Sequence, residues 1–261
     1  MSHAYLEFDI RAGAEARGLV GRVASLREPR TTIGGVNLVT GFRPELWASV
    51  APSAAPPGLA GFNQPVEGVD VSRHVASALA SEADLVHEIV GWPYHRDLDL
   101  TGFLDGIENP TLADATAAAL VEPGAPGEAG SVLLLQQWEH DAVKWEALPV
   151  SEQERVIGRT KLDGTELNPK PATSHVARTD QDRFGKIFRR NIGYGQLRRH
   201  GTIFVGFSRD RERLDAMLDG MTARGGGERD RLTYFARALT GAYYFVPSNE
   251  ALASLATEPP V

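Results

Sequence analysis

The 261 residues carry 27 Lys and Arg against 34 Asp and Glu, a formal net charge of −7, with 42% hydrophobic and 23% charged residues. That balance suits a folded globular chain with one large or two small cores, and it argues against a nucleic-acid binder, which concentrates basic residues on its surface. With no cysteine at all, disulfides, zinc-thiolate sites, iron–sulfur clusters and every thiolate-attached cofactor are excluded.

In chain order, Met1 to Ile10 alternates through Tyr5, Leu6, Phe8 and Ile10 like a strand. It has neither a basic leader nor a long apolar run, so no targeting or spanning segment is expected and cytoplasmic residence is the default. Ala14 to Leu26 has helical spacing, Val36 to Phe42 reads as a strand, and the Pro/Ala/Gly-rich stretch from Ala51 to Phe62 as a long loop. Val71 to Glu82 is helical, and Leu85 to Val90 is a short apolar run. The stretch 121–130 combines proline, glycine and charge without periodicity and is expected to link a first half, 1–120, to a second, 131–261.

In the second half, Ser131 to Trp138 is strand-like and Ser151 with Glu154 reads as a capping box. Asp163 to Lys170 looks structureless, Thr202 to Phe207 is a strand, Arg209 to Met221 an amphipathic helix, and Gly225 to Gly227 a turn. Leu232 to Leu239 then leads into a final strand. Strands and helices alternate without a regular βα rhythm, which favours α+β over α/β.

One stretch stands out: Gly102-Phe103-Leu104-Asp105-Gly106-Ile107-Glu108-Asn109-Pro110. Its two glycines admit backbone angles and close approaches that let Asp105 sit tightly against a ligand or wall. Asn109-Pro110-Thr111 reads as a helix N-cap, N1 proline and first turn. By spacing alone, such a segment is equally a turn with a solvated aspartate, His175 a surface or satisfied core residue, and the Arg189-Arg190 pair an exposed face. None of the other internal histidines, His74, His87, His95, His140 and His200, forms a spaced metal-ligand pair.

Gly102 to Gly106 resembles the Gly-x-x-Asp-Gly signature of the dye-decolourising peroxidases. Ser174-His175-Val176 and Arg189-Arg190-Asn191-Ile192-Gly193-Tyr194-Gly195 follow in that family's order. Asn37 to Phe42 with Pro44-Glu45-Leu46-Trp47, and Thr240 to Pro247, resemble its N-terminal half and closing strand, so the likeness runs from about residue 4 to about residue 250. Its flavour is that of the short bacterial, class B-like members. Gly193 stands where these carry proline, and Tyr194 where many carry phenylalanine.

The resemblance implies two tandem ferredoxin-like halves with antiparallel sheets and flanking helices, and one non-covalent haem b per chain held mainly by the C-terminal half. His175 would be the proximal iron ligand, with Asp230, in Asp230-Arg231-Leu232, its hydrogen-bond acceptor. A water-facing helix-start aspartate is the competing view of Asp230. Alternation along Lys186 to Asn191 would place one arginine inward and its neighbour outward, and the resemblance to the family's Arg-x-Asn pattern implies that Arg189 and Asn191 face the haem and Arg190 the solvent or a propionate.

The implied activity is reduction of hydrogen peroxide through a ferryl (compound I) intermediate, with oxidation of dyes, phenolics or other small aromatic reductants. Asp105 would move the proton, Arg189 steady the charge on the breaking O–O bond, and Asn191 bond peroxide or a water. An arginine close to Asp105 would hold its carboxyl low. Electrons could hop through a set that includes Trp92, Tyr94, Trp138, Trp145, Tyr194, Tyr234, Tyr243 and Tyr244. The alternative is a haem-binding or haem-handling protein with incidental peroxidase activity. A homo-oligomer is expected. No nucleic acid or membrane partner is, and the C-terminal tail ending Pro259-Pro260-Val261 does not support encapsulation.

Overall fold

Val132, Leu133, Leu134 and Leu135 form a continuous apolar run, the pattern of a strand covered on both faces. In the computed structural model, which describes residues 3–26, 39–56, 70–95, 97–224 and 226–255, that run lies within an interior strand of a single six-stranded antiparallel sheet. The strands are β1 (His3–Ile10), β2 (Ala83–Trp92), β3 (Ser131–His140), β4 (Phe188–Gln196), β5 (Arg199–Ser208) and β6 (Ala236–Val246), in the spatial order β1-β2-β4-β5-β3-β6.

The helices are α1 (Ala16–Leu26), α2 (Pro44–Val50), α3 (Asp70–Leu79), α4 (Ala115–Ala119), α5 (Ala142–Glu146), α6 (Val150–Ile157), α7 (His175–Arg178), α8 (Gln181–Phe184), α9 (Arg211–Thr222) and α10 (Asn249–Ala253). From β3 onward the order β4-β5-β3-β6, with helices between β3 and β4 and between β5 and β6, is the ferredoxin-like arrangement. The fold is therefore α+β, as expected. β2 meets β4 through Gly91↔Tyr194 and Trp92↔Gly193.

Period-two alternation divides β3 between two cores. Val132 and Leu134 pack with Ile187, Leu214, Met217 and Tyr243 under α9, while Leu133 packs with Ala242 and Tyr244 on the other face. Leu214 and Met217, three apart on α9, are both buried, each stabilising the fold by about 1.5–3 kcal/mol relative to exposure. Asp210 caps this helix by accepting from the Arg213 backbone N–H. A further core joins α1 and α2 to β6: fully buried Trp47 stacks on Phe42 at 5.6 Å and meets Phe245 at 5.8 Å.

Several boundaries differ from the sequence reading. α3 ends at Leu79, and the apolar run becomes the ten-residue β2. Ser151 is no cap: α6 begins at Val150 after Pro149, and the Glu154 carboxylate instead accepts from the Lys161 backbone N–H at 2.9 Å. Asp163 to Lys170 is structured, tied to Arg159 through the Gly164 carbonyl and Glu166. Residues 121–130 close into a hydrogen-bonded loop, Val121 N–H to Gly130 O at 2.8 Å and Ala129 N–H to Val121 O at 3.0 Å. Of the expected strand over Val36 to Phe42, Phe42 bridges Phe245, and residues 36–38 lie outside the described residues. Pro52–Ala54 is a short 3₁₀ turn. Residues 57–62, Gly225 and the tail from residue 256 also lie outside them.

Candidate active site

One face of the sheet forms the floor of a cavity by alternation: Leu134, Gln136, Trp138 and His140 from β3, Arg189 and Asn191 from β4, Thr202 and Phe204 from β5. Arg190, between the two inward residues, is exposed. Apolar side chains complete the walls, including Ile157 of α6, Val176 of α7 and Leu214, Met217 and Leu218 of α9.

Asp105 enters this cavity on a tight hairpin. Asp99 N–H bonds Phe103 O at 3.0 Å, Gly102 N–H bonds Asp99 O at 3.0 Å and Asp105 N–H bonds Asp97 O at 2.9 Å. Gly102 and Gly106 have φ of 81° and 76°, the left-handed region expected of glycine. The Asp105 carboxylate accepts twice from Asn191, from Nδ2 at 3.0 Å and from the backbone N–H at 3.2 Å.

Asn109 is not the expected N-cap, since the next helix starts at Ala115. Its amide spans to β4, where Oδ1 accepts from the Arg189 N–H at 2.9 Å and Nδ2 donates to the Arg189 carbonyl at 2.8 Å. Two of the hairpin's residues thus grip the strand that carries Arg189 and Asn191. Contrary to expectation, Arg189 makes no ion pair with Asp105 or with any other of the described residues, and its buried Nε has no hydrogen-bond partner. The Asp105 carboxylate is occupied by Asn191 instead.

His175 opens α7, whose N-cap Ser174 is fully buried and accepts from the Ala177 N–H. Its Nδ1 lies 2.6 Å from Oδ2 of Asp230, a residue with no exposed surface. Asp230 is fixed independently. Its Oδ1 accepts from Leu232 N–H at 2.8 Å, its own N–H bonds Met221 O at 3.0 Å, and Arg231 N–H bonds Thr173 O at 3.0 Å, joining the two segments. The water-facing view of Asp230 is thereby ruled out. His175 lines the cavity, and Nε2, with Nδ1 engaged, is the nitrogen left for a ligand there.

Four other residues escaped the sequence reading. Asp99 lines the cavity, and burial raises its carboxyl above the usual range; hydrogen bonds from Thr101 oppose the rise, and nearby Asp105 adds to it. Arg159 lines it too, joining Glu108 at 2.7 Å to Glu166 at 2.8 Å. His140 donates to or accepts from Thr202 Oγ1 through Nε2 at 3.2 Å, and its imidazole is pushed down to about 4 by burial and then by His200. The fourth is Asn109. Only Asp99, three residues before Gly102, carries a local signal, its place at the mouth of the Gly-x-x-Asp-Gly turn.

No group of three or more His, Asp or Glu among the described residues could hold a bare metal ion, and no described helix is long and apolar enough to cross a membrane. What the cavity presents is an imidazole pinned by a buried carboxylate, a carboxylate held by an amide, and an unpaired guanidinium, inside apolar walls.

Residues 96–251 match the family model described as Dyp-type peroxidase, C-terminal. The dye-decolorizing peroxidase of Mycolicibacterium paratuberculosis is 36% identical, over 90% of this chain and 75% of that protein. That of Mycobacterium tuberculosis is 38% identical, over 76% of this chain and 63% of its own. Among solved structures, DyPB from Rhodococcus jostii superposes with a TM-score of 0.83 at 31% identity, covering 97% of this chain and 94% of that one. A dye-decolorizing peroxidase from Bacteroides thetaiotaomicron superposes with a TM-score of 0.84 at 26% identity, over 97% and 94%. The matched span takes in the Asp105 hairpin, His175, β4 and Asp230, and the chain belongs to the Dyp-type peroxidase family.

Proposed function

We propose that this chain is a haem-dependent peroxidase that reduces hydrogen peroxide and oxidises dyes, phenolics or similar small donors, with one non-covalent haem b held in the cavity of His175 and Arg189. The observation that carries the reading is the buried His175–Asp230 contact of 2.6 Å in the same cavity as Asp105, Asn191 and Arg189. A variant of the related Rhodococcus jostii protein has been solved in complex with heme. The residues here fit such a group. The walls are apolar, as a flat macrocycle requires, and the orphaned Arg189 Nε needs an acceptor that no group among the described residues supplies.

Haem, when bound, would supply a redox-active iron able to accept the oxidising equivalents of peroxide and pass them to a donor. His175 would hold the iron through Nε2, and Asp230 at Nδ1 would fix the tautomer and make the imidazole a stronger donor. Asp105 takes the proton from the inner peroxide oxygen and returns it to the outer one, which leaves as water. Arg189 meets the negative charge that develops as that bond breaks. Asn191 keeps Asp105 oriented and retains a second amide hydrogen for peroxide or an ordered water.

A protein that only carries haem needs the axial ligand and no such polar set, which favours catalysis over haem handling. The test is an absorption spectrum of the haem-reconstituted protein with and without peroxide, alongside His175→Ala. A Soret band that shifts on peroxide addition, and that His175→Ala loses, is the expected result. Full haem occupancy with an unchanged spectrum in His175→Ala would remove that ligand assignment.

A further inference from the structure

Beside the first cavity lies a second, of about 450 Å³, and the two share Thr101, His140, Leu232 and Ala236 as a common wall. That size is in the usual range of small-molecule sites, roughly 300–1,000 Å³. We propose that this second cavity binds the electron donor, as a small, neutral, planar aromatic such as a phenol or aniline, one layer of side chains from the haem site. The assignment rests on the peroxidase reading above.

The walls specify the ligand. Trp92, Tyr94, Trp145 and Phe235 line the space with aromatic faces, which favour another ring by stacking or edge contact. Trp145 is buried and fixed, its Nε1 donating to the Thr101 carbonyl at 3.0 Å. Trp92 donates to the Gly195 carbonyl and lies across Gly193, where any Cβ would come within 2.9 Å of its ring. The absence of a side chain at Gly193 is thus what leaves room for this wall. Glu146 on the lining disfavours an anion, while His140, His200 and Gln196 can bond a hydroxyl or amine.

The position specifies the role. A ring seated here is separated from the first cavity by the shared side chains alone, so its electron needs no chain of hops. Two phenols and one peroxide give two phenoxyl radicals and two waters. Each phenol loses its O–H hydrogen as an electron, which a bound haem would take up, and a proton, which His140 would accept and pass across the shared wall toward the second peroxide oxygen, the one that remains after the first water has left. On the shared wall and hydrogen-bonded to Thr202, His140 rests neutral, its imidazole held down to about 4 by burial and then by His200, so a proton it takes is readily given up again.

The test uses the haem-loaded protein and 2-methoxyphenol, with binding read by calorimetry without peroxide and steady-state oxidation read separately. Ala142→Phe, at the edge of this cavity, should weaken binding and raise the KM for 2-methoxyphenol at least about tenfold, the equivalent of roughly 1.4 kcal/mol. The bimolecular peroxide reaction should be unchanged. Tyr94→Ala, at a residue 37% exposed and so safe for folding, should raise KM about threefold or more, for loss of one ring contact. Unchanged binding and KM in both variants would overturn the assignment, as would 2-methoxyphenol binding without being oxidised while a bulky dye is turned over. Failure of the parent protein to oxidise any donor would overturn the peroxidase reading and the donor role with it, and is told apart by the missing peroxide reaction.

Discussion

Asp230 Oδ2 sits 2.6 Å from His175 Nδ1, and Asp230 has no surface exposed to water. A carboxylate so placed cannot be compensated by solvent once its partner changes. Asp230→Asn keeps the shape and the Leu232 N–H contact but removes the charge. We expect it to bind haem with a raised reduction potential and to lose about 10–100-fold in haem affinity or peroxidase rate, the usual scale for removing a ligand's hydrogen-bond partner. A potential and a rate equal to those of the parent protein would show that the carboxylate does not act on the ligand.

Arg189 is the cavity's unpaired cation, its buried Nε without a partner. Arg189→Leu should fold and load haem normally, since no ion pair among the described residues is lost. Stopped-flow mixing with peroxide should show the first step slowed at least ~100-fold, the scale of losing one preorganised donor. Rates within a few-fold of the parent would refute the role.

Asn109 holds Arg189 by both backbone groups, at 2.9 and 2.8 Å. Asn109→Ala removes the two bonds together. Stability should fall by about 1–3 kcal/mol, at roughly 0.5–1.5 kcal/mol per bond, read as a lower urea midpoint. The peroxide step should slow as well, because the strand carrying Arg189 and Asn191 is no longer tied to the Asp105 hairpin. A lower midpoint with an unaltered peroxide rate would make the tether purely structural.

His140 gives a pH dependence whose sign can be worked out. Its folded pKa is about 4 against 6.5 for the free side chain, chiefly from burial. Between those values the unfolded chain binds a proton that the folded one does not, so stability is present above pH 6.5 and is lost as the pH falls toward 4. The loss amounts to at most about 3 kcal/mol. His140→Gln should flatten the fall in urea midpoint over that range, and an identical slope in the variant would show that His140 is not the group responsible.

Much of the fold was legible because it rests on local pattern. Alternation in β1, the apolar runs of β3 and β5 and the 3.6-residue spacing of α1 and α9 survive at the observed positions. The period of two required Arg189 and Arg190 to face opposite ways, and the resemblance in the Arg-x-Asn order indicated which of them turns inward. What was not legible depends on partners far apart in sequence. Asn109 has the residue type and the following proline of an N-cap, yet its amide is taken by a strand 80 residues on. Asp163 to Lys170 lacks periodicity, yet Arg159 ties Glu166 to Glu108 across 51 residues. The Ser151 and Glu154 pair met the spacing rule but lost to Pro149, which takes the N-cap place two residues earlier. His140 offered no ligand spacing; its interest comes from standing in the wall between two cavities.

The seam between β2 and β4, paired only at Gly91↔Tyr194 and Trp92↔Gly193, contrasts with the full-length pairing of β3 to its neighbours. The hairpin that leaves β2 is instead fastened to the second half by Asp105 on Asn191, Asn109 on Arg189 and Glu108 on Arg159. These three fastenings lie within five residues of one another, so they open and close as a unit. Such a segment forms a local unfolding unit of lower stability than the central strands, and its amide hydrogens exchange with solvent sooner. Cofactor binding and hairpin closing are then linked: a group that binds only the closed hairpin stabilises that closed form by its own binding.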